Sequence, residues 1–246
     1  MIEYLNNIDT QVFLLINGHH SPFFDIFMKL FTGRFIWIPM YAAIALMMWR
    51  AAGWSKFIFY ILGAALAVTI TDQLCATWIR PAVERLRPSN LENTLSQFTY
   101  IVGGYRGGSY GFPSCHAANS FALASFTALL VRRHSFVMFI IGWAVLNSYS
   151  RLYLGVHYPG DLLVGAAIGT CAGAGCLTLV RRLTHGATTP QALASRAYTP
   201  LYTYDITTTE GETLTLTRGF AITAPALVMT VAGATIGYII MRAAIG

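Results

Sequence analysis

Leu162-Leu-Val-Gly-Ala-Ala-Ile-Gly-Thr-Cys-Ala-Gly-Ala-Gly-Cys-Leu-Thr-Leu-Val180 runs for nineteen residues without a charge. Wound as an α-helix it is about 28 Å long, close to the ~30 Å hydrocarbon core of a bilayer. Gly165, Gly169 and Gly173 recur every four residues and mark a face on which another helix backbone can approach closely. The rest of the chain agrees with a lipid solvent. Its 246 residues are 55% hydrophobic and only 11% charged, with a mean hydropathy of +0.55, where a soluble domain carries about 25% charged residues. The start holds acidic Glu3 and Asp9 and no basic stretch, so no signal peptide is read and insertion falls to the first membrane helix.

Scanning outward gives an all-α, polytopic membrane bundle of about six spans: Phe35–Trp49, Phe57–Ile79, Ala117–Val131, Phe136–Tyr149, Leu162–Val180 and Phe220–Met241. Val12–Phe31 is amphipathic and interrupted by Gly18 and Pro22, and is read as an N-terminal surface helix, with a seventh span as the alternative. Residues 1–182 form the membrane core, 183–218 a polar segment and 219–246 an additional span. In the polar segment, alternation around Glu210-Gly211-Glu212 predicts a short cytoplasmic β-hairpin. Gly233 and Gly237 repeat the glycine stripe in the last span, and for both stripes packing within the chain is expected. Arg50, Lys56, Arg132, Arg133, Arg181 and Arg182 fall in loops on one face, which the positive-inside rule makes cytoplasmic.

The net charge is +6, and of sixteen cations only Lys29 and Lys56 are lysines. An arginine excess suits bidentate clamping of phosphate or carboxylate, and the lipid interface as well. Basic blocks interleaved with aromatics are absent, so no nucleic-acid partner is expected. The cysteines Cys75, Cys115, Cys171 and Cys176 show neither zinc spacing nor a disulfide framework.

On the face away from the cytosol stand three polar clusters. Arg80-Pro-Ala-Val-Glu-Arg-Leu-Arg87-Pro88 leaves the second span, and its two outer arginines are about two helical turns apart, able to point the same way if the helix continues. Alone they would read as snorkelling cations. Pro113-Ser114-Cys115-His116 opens the third span, where Ser114 is a natural N-cap and the following amides are free to bind an anion. A histidine entering a membrane helix is costly without a function. Ser150-Arg151-Leu-Tyr-Leu-Gly-Val-His157-Tyr-Pro-Gly-Asp161 precedes the fifth span. Asp161, one turn from His157, can fix its tautomer and leave the other ring nitrogen free to attack.

Together the clusters resemble the three motifs of the type 2 phosphatidic acid phosphatase and vanadium haloperoxidase superfamily, from the N-terminus to about Arg182. That family's pattern is a lysine, six residues, Arg-Pro; then Pro-Ser-Gly-His; then Ser-Arg, five residues, His, three residues, Asp. Two positions depart: Arg80 replaces lysine and Cys115 replaces glycine. The resemblance implies that His157 is a nucleophile forming a phosphohistidine, that Asp161 orients it, and that His116 is acid and then base. It implies that Arg80, Arg87, Arg151, Ser114 and the Cys115 amide hold the phosphoryl oxygens, with no metal and no cofactor. The expected partner is a lipid phosphate in the bilayer: a polyprenyl diphosphate, lipid A phosphate, phosphatidylglycerol phosphate or phosphatidate. The expected place is a bacterial inner membrane with the site facing the periplasm or exterior.

Asp72, inside the second span, is expected to hydrogen-bond within the bundle, and Glu84 to pair with Arg80 or Arg87. The Gly- and Tyr-rich loop Tyr100–Phe112 offers Arg106 as a headgroup contact or is a plain interface loop. Competing readings are a haloperoxidase, against which the spans argue, and a protein that binds or moves lipid phosphates without hydrolysis. The oligomeric state is open.

Overall fold

The computed structural model describes residues 1–184, 204–207, 213–216 and 224–245. Helix α1 (Ile2–Asn17) ends at Gly18, and α2 (Pro22–Phe31) starts where Ser21 accepts from the Phe24 amide and Pro22 supplies a preset first residue. After a 3₁₀ turn at Phe35–Trp37, α3 (Ile38–Ala52) leaves at 68° to α2. Gly53, at φ 72°, reverses the chain into α4 (Trp54–Gln73). A π-helical stretch, Leu74–Ile79, and α5 (Arg80–Val83) extend it to a 30-residue rod. Then come α6 (Cys115–Val131), α7 (His134–Tyr153), α8 (Pro159–Leu183) and α9 (Ala224–Ile245).

The molecule is a membrane helical bundle, and helices stand at each expected span. Trp54–Val83, Pro159–Leu183 and Ala226–Ile245 are long and apolar enough to cross alone, and the bent α2–α3 pair qualifies jointly. α6 has only 17 residues, and α7 ends in Asn147, Ser148, Ser150 and Arg151. Their polar ends build the site, which is why they look poorer as spans. α6 lies at the centre, against α4, α7 and α8, and is buried on every side through residues such as Ala117, Ala122, Phe126 and Leu130. The outer side of α4 instead exposes Ile58, Leu62, Leu66 and Ile70 at helical spacing, a surface suited to lipid.

The glycine stripe of α8 is the tightest seam. A Cβ at Gly165 would come within 2.5 Å of the Ser114 carbonyl; at Gly169 it would strike the Ala118 carbonyl, and at Gly173 the Ala122 carbonyl and Ser125 hydroxyl. The contacts climb both helices in the same order, so α6 and α8 run parallel with both N-termini at one end. Gly233 and Gly237 differ from expectation: a Cβ there would meet nothing among the described residues, and α9 packs on α3 and α2 through Val228, Ala232 and Ile239 instead. Strands β1 (Tyr204–Thr207) and β2 (Thr213–Leu216) pair antiparallel, Tyr204 opposite Leu216. Residues 185–203, 208–212, which include the expected turn, and 217–218 of the polar segment lie outside the described residues.

Candidate active site

The first motif does not act as a continuous helix. α5 stops at Glu84, which takes a left-handed φ of 50°. Beyond it the chain is extended: Gly111 donates to the Arg85 carbonyl (2.8 Å) and Arg87 to the Ser109 carbonyl (3.1 Å). An extended strand repeats every two residues, so Arg85 and Arg87 both turn toward the third motif. Arg80 reaches the site from the helix end and donates to the Pro113 carbonyl (3.2 Å). Glu84 pairs with neither Arg80 nor Arg87; its carboxylate lies against the Tyr110 hydroxyl.

His157 sits on the turn between α7 and α8 and is 2% exposed. Its Nδ1 is 3.1 Å from Asp161 Oδ2, and its Nε2 is 2.9 Å from Arg87 Nη1. A guanidinium can only donate, so Nε2 carries a lone pair and the ring proton is on Nδ1, given to Asp161. Burial pushes the His157 imidazole down to about 3; Asp161 opposes this, while the Arg87 and Arg151 charges reinforce it. The ring is therefore neutral, and Arg87 holds the Nε2 lone pair. Arg87, also buried, donates to the Tyr110 and Val156 carbonyls (3.1 and 3.0 Å), and burial, then Arg80 and Arg151, lowers it to about 10, still a cation at neutral pH.

Ser114 caps α6, its Oγ accepting from the Ala117 amide (3.4 Å), and its own N–H donates to the Asp161 carbonyl (2.9 Å). Cys115 occupies the first turn. Among the described residues the only non-glycine residues at positive φ are Glu84 and Arg132, so the cysteine is not strained where the family has glycine. His116 Nε2 lies 3.2 Å from Asn147 Oδ1 and 3.1 Å from Thr32 Oγ1. Arg151 donates to the same Thr32 hydroxyl (3.3 Å), while its Nε is buried without a partner among the described residues.

Arg80, Arg87, Arg151, Ser114, Cys115, His116, His157 and Asp161 thus converge. Arg106 does not join them: it donates to the Ser89 carbonyl and Ser96 hydroxyl (2.7 and 2.8 Å) and braces its own loop. Asp72 accepts from Asn119 Nδ2 at 3.1 Å, a bond inside the bundle as expected.

Sequence reasoning missed Arg85 and Asp9. Arg85 donates to Asp161 Oδ1 (2.9 Å) and Asp9 Oδ2 (2.6 Å) and lies 4.1 Å over the Tyr158 ring. Asp9 also accepts from the Gly160 amide (2.7 Å), so α1 is fastened to the start of α8. No spacing rule reaches across 76 residues; the only signal was an acidic residue on an amphipathic helix. Asn147 was detectable as a polar side chain in an apolar helix.

A family model described as the PAP2 superfamily matches residues 57–185. A lipid A 4′-phosphatase of Bacteroides thetaiotaomicron is 54% identical over 173 residues, 70% of this chain and 77% of that protein. A lipid A 4′-phosphatase of Porphyromonas gingivalis is 33% identical over 70% of this chain and 72% of its own. The crystal structure of a PAP2-type phosphatidylglycerolphosphate phosphatase from Bacillus subtilis superposes with a TM-score of 0.55 at 20% identity, over 76% of this chain and 89% of that one. Aquifex aeolicus LpxE gives 0.51 at 24%, over 68% and 93%. At these identities the two structures speak to the fold.

Proposed function

The chain belongs to the PAP2 superfamily and is a membrane lipid phosphatase, and from that premise we propose that it removes the 4′-phosphate of a lipid A-type glycolipid through a phosphohistidine. The observation that carries this reading is the 54% identity to a lipid A 4′-phosphatase across most of both chains. The cluster's geometry supports the chemistry. His157 Nε2, deprotonated and backed by Asp161, attacks phosphorus. As the N–P bond forms, the bond to the sugar oxygen breaks, and His116 gives that oxygen a proton. His116 then takes a proton from water, whose oxygen attacks phosphorus and releases phosphate and His157. Phosphoryl transfer demands mainly charge stabilisation on the equatorial oxygens. Arg80, Arg87, Arg151 and the first-turn amides of α6 supply it in this reading, with no metal required.

The test is phosphate release by the detergent-purified chain, with EDTA, from lipid A and other lipid phosphates. Activity in EDTA that vanishes in His157→Ala, with an acid-labile phosphoprotein trapped in wild type, is expected. Wild-type rates in that variant would sink the mechanism. We place the protein in the bacterial inner membrane with this site outside and residues 183–218 in the cytoplasm. The basic turns stand at the opposite end of the bundle, where Arg181 donates to the Leu129 carbonyl (2.9 Å). A cysteine at Leu91, which is 78% exposed in the site-side loop, should react with an impermeant maleimide in cells with a permeabilised outer membrane and intact inner membrane. Labelling only after the inner membrane is opened would reverse the orientation.

A further inference from the structure

Beside His116 a cavity of about 450 Å³ opens between α3, α4, α6 and α7, walled by Tyr41, Asp72, Asn119 and Trp143 among others. Two of these groups have unused hydrogen-bonding capacity. Trp143 is 5% exposed, and its indole N–H has no partner among the described residues. Asp72 gives Oδ1 to the Asn119 amide (3.1 Å), while Asn119 Oδ1 is taken by the Thr71 hydroxyl (2.7 Å). The second carboxylate oxygen of Asp72 is bonded to nothing among the described residues. Both groups line the one cavity, and a buried N–H left without a partner is expensive unless a ligand completes it, while the open carboxylate oxygen is ready to accept.

Their place decides which part of a substrate that is. In-line displacement puts the leaving oxygen opposite the attacking nitrogen. His157 attacks, so the leaving group departs on the side of His116, where the cavity lies. The ligand there must accept from Trp143 and donate to Asp72. Apart from the leaving oxygen itself, a diacylglycerol or a polyprenyl group has no O–H or N–H to give Asp72, and a phosphatidylglycerol group has a single hydroxyl on a flexible chain. A sugar ring has both functions on one rigid frame, and its apolar faces fit aromatic walls. Tyr41, Val68 and Leu123 also border an apolar groove of about 400 Å³ between α3 and α4. An acyl chain attached to the sugar would continue into it.

We propose that this cavity is the leaving-group subsite and takes a hydroxylated, acylated sugar ring, with Trp143 and Asp72 as the specificity-determining contacts. The proposal rests on the phosphatase reading and adds the residues that select the substrate.

The experiment compares kcat/KM of the full chain, in detergent, on a 4′-phosphorylated acylated glucosamine disaccharide and on phosphatidate. Trp143→Phe keeps an aromatic ring and removes only the N–H; Asp72→Asn keeps shape and removes the charge. The glycolipid-to-phosphatidate ratio should fall about threefold to tenfold in Trp143→Phe, and further in Asp72→Asn, chiefly through KM. The dephosphorylated glycolipid should inhibit both variants less than wild type. An unchanged ratio in both variants overturns the subsite while leaving the phosphatase reading intact. A wild type that prefers phosphatidate overturns the sugar assignment, and one that hydrolyses no lipid phosphate overturns the phosphatase reading and the subsite together.

Discussion

Arg85 ties α1 to the histidine–aspartate pair, and its replacement by glutamine tests whether that tie matters to chemistry. Asp161 is fully buried, and its two oxygens are divided among His157, the Tyr158 amide and Arg85. Glutamine cannot span both carboxylates, so Oδ1 of Asp161 loses its charged donor. A hydrogen bond to a charged group contributes about 1.5–3 kcal/mol. If that energy holds Asp161 in line with His157, its loss lowers kcat by roughly tenfold to 150-fold. KM should move little, because Arg85 is not among the arginines proposed to hold the phosphate. Arg85→Lys, which can hold one carboxylate, should recover part of the rate, and Asp9→Asn should give a smaller loss, since Asp161 keeps its guanidinium. The assay is steady-state phosphate release beside single-turnover formation of the phosphoenzyme, with thermal unfolding as the control for folding. A wild-type kcat in a folded Arg85→Gln protein would refute the positioning role, as would a loss confined to KM.

Two further outcomes follow from packing and protonation. Gly169→Val should lower the unfolding temperature in detergent, since even a Cβ would meet the Ala118 carbonyl; overpacking costs about 1–3 kcal/mol, and unchanged melting would contradict the seam. For pH, the folded His157 is held near 3 while an unfolded histidine titrates at about 6.5. Below about 6.5 the unfolded chain gains a proton the folded chain refuses, so stability is full above that value and falls toward pH 3. His157→Asn should flatten this loss between pH 7 and 4, and parallel melting curves for the two proteins would rule it out.

Much of this was legible in the sequence because it is written in local spacing. His157 and Asp161 are one helical turn apart, Ser114 and His116 share a helix start, and the α8 glycines follow a four-residue period. The illegible parts depend on long-range placement. Arg80 and Arg87 reach the site by different routes, one on a helix end and one on an extended segment, because Glu84 takes a left-handed turn that no pattern around it announces. Arg106 looked like a ligand for the same reason that it is not one: a lone arginine in a glycine-rich loop has many acceptors within reach, and here Ser89 and Ser96 claim it. Asp9 is invisible until α1 folds back on α8. Gly233 and Gly237 repeat the α8 spacing yet seat nothing among the described residues, so the spacing permits close approach without compelling it.

The α6–α8 seam has a mechanical consequence. His116 rides on α6 and Asp161 on α8, and at Gly165, Gly169 and Gly173 the α8 backbone meets α6 carbonyls, with no side chain longer than alanine or serine between them to act as a bearing. The two helices therefore form one stiff beam. A thicker or thinner bilayer can tilt that beam, but sliding one helix along the other would drive carbonyls into α-carbons. The separation between His116 and Asp161 is set by the protein and is shielded from the strain of the membrane around it.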